Sequence, residues 1–248
     1  MLGGEPTVWK DFTRLSEIIK EVDPNSVVNI LTNGSRTIRW WNRTKQFLDK
    51  VSISYHHEQA DVDHIINVAN AIQDSCQTNI QMLMDINNWD KCVSIYEKLR
   101  DNTTVPIQIK KLQVEFGQRE WMAYTDEQRK WMTDAHKVTS SRPGTKRNKT
   151  SLGINCYYED GTVTQETNHD LIQAGLNKFL GWSCNIGRDL VVIKANGDVV
   201  PANACNQKVI MGNIKTDPNN INLLASPIIC NYNECTCGSD IEIDKSLK

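Results

Sequence analysis

Five of the chain's eight cysteines lie close together near its carboxyl end, and this clustering restricts the fold more than any other feature. They are Cys184, Cys205, Cys230, Cys235 and Cys237. The first two flank DLVVIKANGDVV, in which two short apolar runs around Asn-Gly predict a β-hairpin. A hairpin brings its strand ends together, so Cys184 and Cys205 are expected side by side. Cys235 and Cys237, two residues apart on an extended segment, would face the same way. The spacing therefore predicts one site, formed by a hairpin and a tail.

Clustered thiols can serve as metal ligands, form disulfides or stay free. Four thiolates at one point select zinc or an iron–sulfur cluster. Disulfides need an oxidising compartment, whereas the first residues, MLGGEPTVWKDF, have neither the basic nor the apolar region of a signal peptide. The expected location is therefore the cytoplasm, where clustered cysteines favour a metal site over free thiols. Two short Cys-x-x-Cys knuckles would be typical of a zinc ribbon; their absence favours iron–sulfur, and zinc stays open.

Charge and hydropathy argue against two classes of partner. The net charge of −2 gives no reason to expect binding to nucleic acid or to an anionic membrane. No window of the sequence approaches the roughly 18 apolar residues that a membrane-spanning helix needs. We therefore expect neither nucleic acid nor membrane as a partner.

The first half of the chain alternates between helical and strand-like patterns. Apolar residues at helical spacing predict four helices, over 11–22, 36–48, 61–75 and 89–100. Short apolar runs predict strands at 26–31, 51–55, 80–84 and 106–114. This alternation predicts an α/β fold with parallel strands, either a doubly wound sheet or a (βα) barrel. In both, ligands bind at the carboxyl ends of the strands.

Composition divides the rest of the chain. Residues 137–150 carry five basic side chains and no acid, which predicts a flexible loop or linker. The expected organisation is an α/β domain over 1–136, this linker, and a small cysteine-rich α+β domain over 151–248. Cys76 and Cys92, on predicted helices, are expected to be ordinary buried thiols, and Cys156 is expected to be structural.

Several short motifs occur in the order in which one enzyme family has them. Gly3-Gly4-Glu5-Pro6 directly precedes a helix, Thr32-Asn33-Gly34 closes a strand, and Ser52 and Ser54 lie on the next strand. The segment at 124–128 (YTDEQ), GWSC at 181–184, GDVVPANAC at 197–205 and GNI at 212–214 follow. Together they resemble radical SAM enzymes that carry an auxiliary iron–sulfur domain of the twitch or SPASM type, over nearly the whole chain.

The resemblance implies a partial (βα) barrel of the radical SAM type over 1–136 and an auxiliary-cluster domain over 151–248. It implies that Glu5 holds the methionine amino group of S-adenosylmethionine (SAM), that Gly3 and Gly4 shape the approach, and that Pro6 belongs to the same cofactor-binding motif. Asn33, Ser52 and Ser54 would line the cofactor pocket, although Asn33 could equally serve the turn before Gly34 and the serines could be plain strand residues.

By the same resemblance, an auxiliary 4Fe–4S cluster would take Cys184, Cys205 and two of Cys230, Cys235 and Cys237 as ligands. The implied reaction is cleavage of SAM to a 5′-deoxyadenosyl radical, which abstracts hydrogen from a peptide or small-molecule substrate. The implied electron donor is a reductant such as flavodoxin or ferredoxin.

The chain departs from the family in one respect. The CxxxCxxC motif that holds the reactive cluster occurs nowhere in the sequence, and in the family it lies upstream of GGEP. The chain thus resembles the portion of such an enzyme that starts partway through the second barrel strand. A separate amino-terminal fragment could supply the motif and a second 4Fe–4S cluster. The alternative is a non-catalytic iron–sulfur or zinc module for electron transfer or partner docking, so enzyme activity stays open.

His56 and His57 follow a predicted strand at the edge where ligands bind. A role in proton transfer or substrate binding is one interpretation, and a solvated pair in a loop is the one we favour. Glu58, Asp61 and Asp63 are expected in the first turn of the next helix, where carboxylates interact favourably with the helix dipole.

Overall fold

A computed structural model describes residues 4–112, 114, 121–140, 142, 153–166, 168–206 and 208–247. The chain divides into two compact units, Met1–Ser151 and Leu152–Lys248. We call them the amino-terminal unit and the cysteine-rich unit.

The amino-terminal unit is a mixed α/β fold around a parallel sheet with strand order β1-β2-β3-β4. The strands are β1 (Asn29–Thr32), β2 (Lys50–Tyr55), β3 (Gln77–Met84) and β4 (Ile107–Lys111). The α-helices are α1 (Phe12–Val22), α2 (Ile38–Thr44), α3 (Val62–Ile72), α4 (Trp89–Asn102) and α5 (Asp126–Ser140). Single turns of 3-10 helix cover Pro6–Val8, Lys45–Phe47 and Ile86–Asn88. The predicted α/β class with parallel strands is confirmed.

The sheet has one apolar and one polar face. Strands adjacent in the sheet are consecutive in the chain, so right-handed crossovers place every connecting helix on the same side. On β2, Val51, Ile53 and Tyr55 are buried, whereas Ser52 and Ser54 on the opposite face are half-buried. The helices therefore cover the apolar face, and the polar face carries the two serines of the predicted cofactor pocket.

Two predicted strands are shorter in the structure. Strand β1 begins at Asn29 rather than at residue 26, and the N–H of Val28 donates to the Asp49 carboxylate at 2.7 Å, while the Val28 carbonyl accepts from the N–H of Lys50 at 3.4 Å. Lys20 binds the same carboxylate oxygen at 2.7 Å. At the other edge, β4 ends at Lys111 rather than at residue 114.

Helix α5 overlaps the predicted linker. It continues to Ser140, so residues 137–140 are helical. Thr139 is fully buried and donates its hydroxyl hydrogen to the carbonyl of Ile107 on β4 at 2.8 Å. This contact ties the last turn of the helix to the sheet, which composition alone could not reveal. Residues 141 and 143–150 lie outside the described residues.

The YTDEQ segment starts α5 and joins two strand ends. The Tyr124 hydroxyl donates to the carbonyl of Met84 and accepts from the N–H of Leu112, so it bridges the ends of β3 and β4. Thr125 and Gln128 bond reciprocally through their side chains and backbone N–H groups, which is a capping box. This part of the motif is thus explained by helix capping and strand bridging.

The described part of the cysteine-rich unit consists of short strands and two short helices. The strands are β5 (Ile154–Tyr157), β6 (Val163–Glu166), β7 (Ser183–Cys184), β8 (Val192–Ile193), β9 (Asp198–Val200), β10 (Gly212–Asn213), β11 (Ile228–Ile229) and β12 (Lys245–Ser246). The helices are α6 (Asn168–Gln173) and α7 (Gly238–Ile241). Strands β5 and β6 pair with each other, and two three-stranded sheets have the orders β10-β9-β8 and β11-β7-β12.

Gly34 is required at the end of β1, and its replacement is expected to destabilise the amino-terminal unit. Its φ is +73°, and an added Cβ would lie 2.7 Å from Ile65 Cδ1 and 3.2 Å from Ile53 Cγ2. We expect Gly34→Ala to lower the free energy of unfolding by about 2 kcal/mol or more, from backbone strain plus overpacking. Urea unfolding measures this. Gly4→Ala is the control, since Gly4 has φ +55° but open space around it; equal losses in both variants would contradict the steric argument.

Candidate metal centre

Four of the five clustered cysteines line one cavity in the cysteine-rich unit. They are Cys184, Cys205, Cys230 and Cys235. Ile186 and Ile228 form apolar walls, and Asp240 and Lys245 add one acidic and one basic group. All eight cysteines of the chain are free of disulfides. Thiols from four separate positions in the sequence thus meet at one place.

Strand β7 positions the thiols of Cys184 and Cys230. Cys184 lies on this central strand, opposite Ile228 of β11 and Lys245 of β12. Cys230 directly follows β11, and its backbone N–H donates to the carbonyl of Trp182 at 2.8 Å. Because β7 is hydrogen-bonded on both sides, Cys184 is buried and its backbone is fixed.

Asp240 holds the segment that carries Cys205. The Asp240 side chain is 1% exposed, and its two carboxylate oxygens accept from the N–H groups of Asn203 at 2.9 Å and Ala204 at 2.8 Å. Asn206, directly after Cys205, has a φ of +50°, a region that asparagine tolerates better than most residues. Cys205 is therefore placed by a buried carboxylate from a helix 35 residues further along the chain.

Asn177 positions Cys235, whereas Cys237 is held outside the cavity. The Asn177 carbonyl accepts from the backbone N–H of Cys235 at 2.8 Å, and the Asn177 amide donates to the Cys235 carbonyl at 2.7 Å. The sulfur of Cys237 instead accepts from the Asn203 amide at 3.1 Å and lies 3.0 Å from the Ser239 hydroxyl. Cys235 therefore lines the cavity, whereas the sulfur of Cys237 contacts Asn203 and Ser239 and is not among the lining residues.

The predicted hairpin is present but shorter than expected. Strands β8 and β9 pair antiparallel around Asn196-Gly197, and Gly197 has a φ of +96°. Cys184 lies outside this hairpin, on β7 of a different sheet. It nevertheless shares the cavity with Cys205, so the predicted juxtaposition of the two thiols arises from a different strand pairing.

The spread of the thiols suits a cluster better than a single ion. No three of these sulfurs lie within 4.8 Å of one another; within the described part of the chain, only His57, Glu58 and Asp85 form a group that compact. A tetrahedral zinc site with Zn–S bonds of about 2.3 Å would place its sulfurs about 3.8 Å apart. The four thiols therefore surround a wider space than one zinc ion needs, and their soft sulfur donors match iron–sulfur ligation.

Burial keeps two of the cavity thiols protonated in the absence of metal. Burial, followed by the charge of Asp240, raises the pKa of Cys205 to about 11. Burial also raises the pKa of Cys235 to about 12, against the opposing charge of Lys245. A metal must displace these protons, since the thiolate is the ligand form.

This burial predicts a pH dependence for the metal-free protein. The folded-state pKa values of Cys205 and Cys235 lie above the ordinary value of 9.0, so their contribution to stability is complete below pH 9 and is lost as the pH rises towards 11 and 12. We expect the urea midpoint of metal-free protein to fall over this range, and less so in Cys205→Ala. Iodoacetamide should also alkylate Cys205 at pH 8 more slowly than it alkylates the exposed cysteine of a short peptide. Equal rates would contradict this account.

The remaining three cysteines have surroundings of their own. Cys76 and Cys92 are buried in the core of the amino-terminal unit, as predicted, although Cys76 follows α3 in a turn rather than lying on a helix. Cys156 is half-buried on β5, where its thiol lies 3.9 Å from the carbonyl of Ile154. None of these three lines the cavity.

The GGEP motif and the end of β1 meet in the amino-terminal unit. Glu5 Oε1 accepts from the N–H of Thr7 at 3.0 Å and from the hydroxyls of Thr7 at 2.6 Å and Thr32 at 2.8 Å. Among the described residues, its Oε2 accepts from the N–H of Asn33 alone, at 2.6 Å. The Asn33 side chain serves the local turn, accepting from the N–H of Ser35 at 2.9 Å. Two motifs far apart in sequence are thus joined by one carboxylate.

The other residues of the predicted cofactor pocket lie on β2 and beside Glu5 in the GGEP motif. Ser52 donates its hydroxyl hydrogen to Asn79 Oδ1 at 2.8 Å, and the Ser54 hydroxyl lies 3.4 Å from His56 Nε2. Gly4 has a positive φ with open space at its Cα, and Pro6 begins the first 3-10 turn. Gly3 lies outside the described residues.

The two histidines after β2 differ from the favoured expectation. His56 is exposed, but the side chain of His57 is only 8% exposed and lies 3.6 Å from Asp85. Glu58 belongs to the loop before α3, whereas Asp61 caps that helix and Asp63 lies in its first turn. A solvated histidine pair is therefore wrong for His57, because Asp85 at the end of β3 covers it.

A comparison of the chain with protein-family models and with curated proteins finds no match. Among the residues that the structure describes, no helix is long and apolar enough to cross a membrane.

Proposed function

We propose that the cysteine-rich unit binds a 4Fe–4S cluster through Cys184, Cys205, Cys230 and Cys235. The observation that carries the proposal is the convergence of these four thiols on one cavity. Four thiolates complete the coordination of such a cluster. In a four-iron cluster, an iron lies between each thiolate and the centre, so the thiolates stand farther apart than around a single ion. The wide spread of the sulfurs supports this reading over zinc.

The surrounding residues have defined tasks in this proposal. Ile186 and Ile228 limit the access of water to the ligands. Lys245, whose ammonium group also binds the carbonyls of Asp240 at 2.5 Å and Ile243 at 2.8 Å, places positive charge beside the thiolates. Asp240 keeps Cys205 in position through its two backbone hydrogen bonds. When bound, such a cluster supplies one-electron transfer or an iron atom for substrate binding.

We further propose that the amino-terminal unit is part of a (βα) barrel that binds SAM at the carboxyl ends of its strands. The single-sided covering of the sheet supports this, because barrel strands are covered by helices on the outside only. Glu5 Oε2 accepts one hydrogen bond, and a carboxylate oxygen can accept a second, here from the methionine amino group. Asn33, Ser52 and Ser54 would border the same pocket with Gly4.

On this proposal, the chain belongs to an enzyme of the radical SAM type that abstracts hydrogen from a peptide or small-molecule substrate in the cytoplasm. A reductant such as flavodoxin or ferredoxin would supply electrons. The reactive cluster would need a CxxxCxxC segment that these 248 residues lack. That same observation favours the alternative, a non-catalytic iron–sulfur module for electron transfer or partner docking.

Anaerobic reconstitution with iron and sulfide tests both the cluster proposal and the enzyme proposal. We expect about four irons and four sulfides per chain and an electron paramagnetic resonance signal after reduction. We expect no 5′-deoxyadenosine from SAM and dithionite with this chain alone. Formation of 5′-deoxyadenosine after addition of a protein segment with CxxxCxxC supports the enzyme, and its absence leaves the non-catalytic module. Protein that takes up one zinc and no iron would overturn the cluster proposal.

A further inference from the structure

A second group of metal-ligating side chains lies in the amino-terminal unit. His57, Glu58 and Asp85 each offer one ligand atom, and these atoms all lie within 4.8 Å of one another. In the sequence, 26 residues separate Glu58 from Asp85 and two elements lie between, so no short motif joins the three residues. Neither the cluster proposal nor the SAM proposal uses any of the three.

The topology of the sheet brings the three residues together. Strands β2 and β3 are parallel neighbours, with Tyr55 opposite Met82. His57 and Glu58 follow the end of β2, and Asp85 follows the end of β3. Both loops leave the carboxyl edge of the sheet, which is where ligands bind in parallel α/β folds.

The Asp85 carboxylate is fixed in one orientation before any ligand arrives. Its Oδ1 accepts from the N–H of Asn87 at 2.9 Å, and its Oδ2 accepts from the side-chain amide of Asn88 at 2.7 Å. The hydrogen bond from Asn88 is the largest cause that lowers the pKa of Asp85, against the opposing effect of burial. Hydrogen bonds of this kind, made by residues around a ligand, orient metal-binding side chains and tune their affinity.

The distances suit ligands that share an ion. His57 Nε2 lies 3.6 Å from Asp85 Oδ2, which is longer than a hydrogen bond. Ligand atoms with bonds of about 2.1 Å in a tetrahedral site stand about 3.4 Å apart. The side chains of His57 and Asp85 are 8% and 11% exposed, so both are held inside the fold, while the exposed Glu58 lies on the solvent side.

We propose that His57, Glu58 and Asp85 bind one divalent first-row cation through an imidazole nitrogen and two carboxylate oxygens. Two carboxylates and a neutral imidazole balance a charge of +2, and this mixed nitrogen–oxygen set suits Mn²⁺, Fe²⁺ or Zn²⁺. Three protein ligands leave coordination positions for water or for an oxygen-bearing group of a substrate. The cation would therefore hold a substrate carbonyl, carboxylate or phosphate at the carboxyl edge of the sheet.

Titration of the full chain with Mn²⁺, followed by electron paramagnetic resonance of the free ion, tests the site. Mn²⁺ prefers oxygen and nitrogen to thiolate ligands, so the cysteine cavity competes little. We expect one bound Mn²⁺ per chain, with the affinity lowered at least roughly tenfold in His57→Gln and in Asp85→Asn. The matched controls His56→Gln and Asp90→Asn alter exposed neighbours of the same residue types and should leave the affinity unchanged.

Three results would each overturn the site: no saturable binding by the wild-type chain, unchanged binding in both ligand variants, or equal weakening in the controls. Circular dichroism establishes that the variants are folded; if Asp85→Asn unfolds, His57→Gln decides alone. Cys184→Ala should titrate like the wild-type chain. Failure of the iron–sulfur proposal therefore leaves this test intact, and the reverse also holds.

Discussion

Replacing Cys184 or Cys205 with Ala is expected to abolish cluster binding, whereas Cys237→Ala is expected to leave about four irons per chain. The reason is the placement of the sulfurs. Cys184 and Cys205 line the cavity, whereas Cys237 bonds to Asn203 and Ser239 outside it. Each variant is reconstituted anaerobically with iron and sulfide under identical conditions, and iron, sulfide and zinc are then counted.

Cys237→Ala is a matched control, because it removes one thiol from the same five-cysteine group without touching the cavity. Cys156→Ala is a second control, from β5. Full iron in Cys184→Ala would contradict the proposed ligand set. Loss of iron in Cys237→Ala with full iron in Cys235→Ala would show that Cys237, and not Cys235, is the fourth ligand.

Removal of the Asp240 carboxylate should be the most destabilising polar substitution in the cysteine-rich unit. Asp240→Ala removes the buried carboxylate that accepts from the N–H groups of Asn203 and Ala204. Hydrogen bonds to a charged group contribute about 1.5–3 kcal/mol each, but water can replace the acceptor at these two exposed residues, so we expect the free energy of unfolding to fall by about 2 kcal/mol. Because the same segment carries Cys205, the variant should also retain less iron. Urea unfolding of the metal-free protein separates the first effect from the second.

Asp244→Ala is the control for this substitution. Asp244 is an exposed acidic residue four positions further along the chain, and surface changes of this kind usually stay within about 0.5 kcal/mol. Hydrogen exchange adds a local measure: the amides of Asn203 and Ala204 should exchange faster in Asp240→Ala. A urea midpoint equal to that of Asp244→Ala would show that Asp240 does not hold the segment.

The parallel sheet was predictable from sequence because each element follows from a local pattern. Apolar spacing in 61–75 predicts the helix that the structure has at α3, and the alternation in β2 places its serines on the polar face. Strand ends were less predictable, since contacts from distant side chains set them. The Asp49 side chain takes the N–H of Val28 just before β1, and Thr139 fixes the last turn of α5 on β4.

The cysteine site was predictable in composition but not in detail. Spacing indicated that the thiols converge, yet it assigned Cys237 the same orientation as Cys235. What separates them is the contact of Cys237 with Asn203, a residue 34 positions away. The roles of Asn177, Asp240 and Lys245 left no signal in the sequence. For Asp85 the sequence does contain a signal, because this residue directly follows the apolar run IQMLM at the edge where ligands bind.

Native mass spectrometry of the anaerobically isolated full chain tests the central claim most directly, because it weighs the metal that the protein carries. We predict a mass increase that corresponds to four irons and four sulfides, present in wild-type protein and in Cys237→Ala and absent from Cys205→Ala. An increase equal to a single zinc ion, or no increase at all after reconstitution, would contradict the assignment of the cavity to an iron–sulfur cluster.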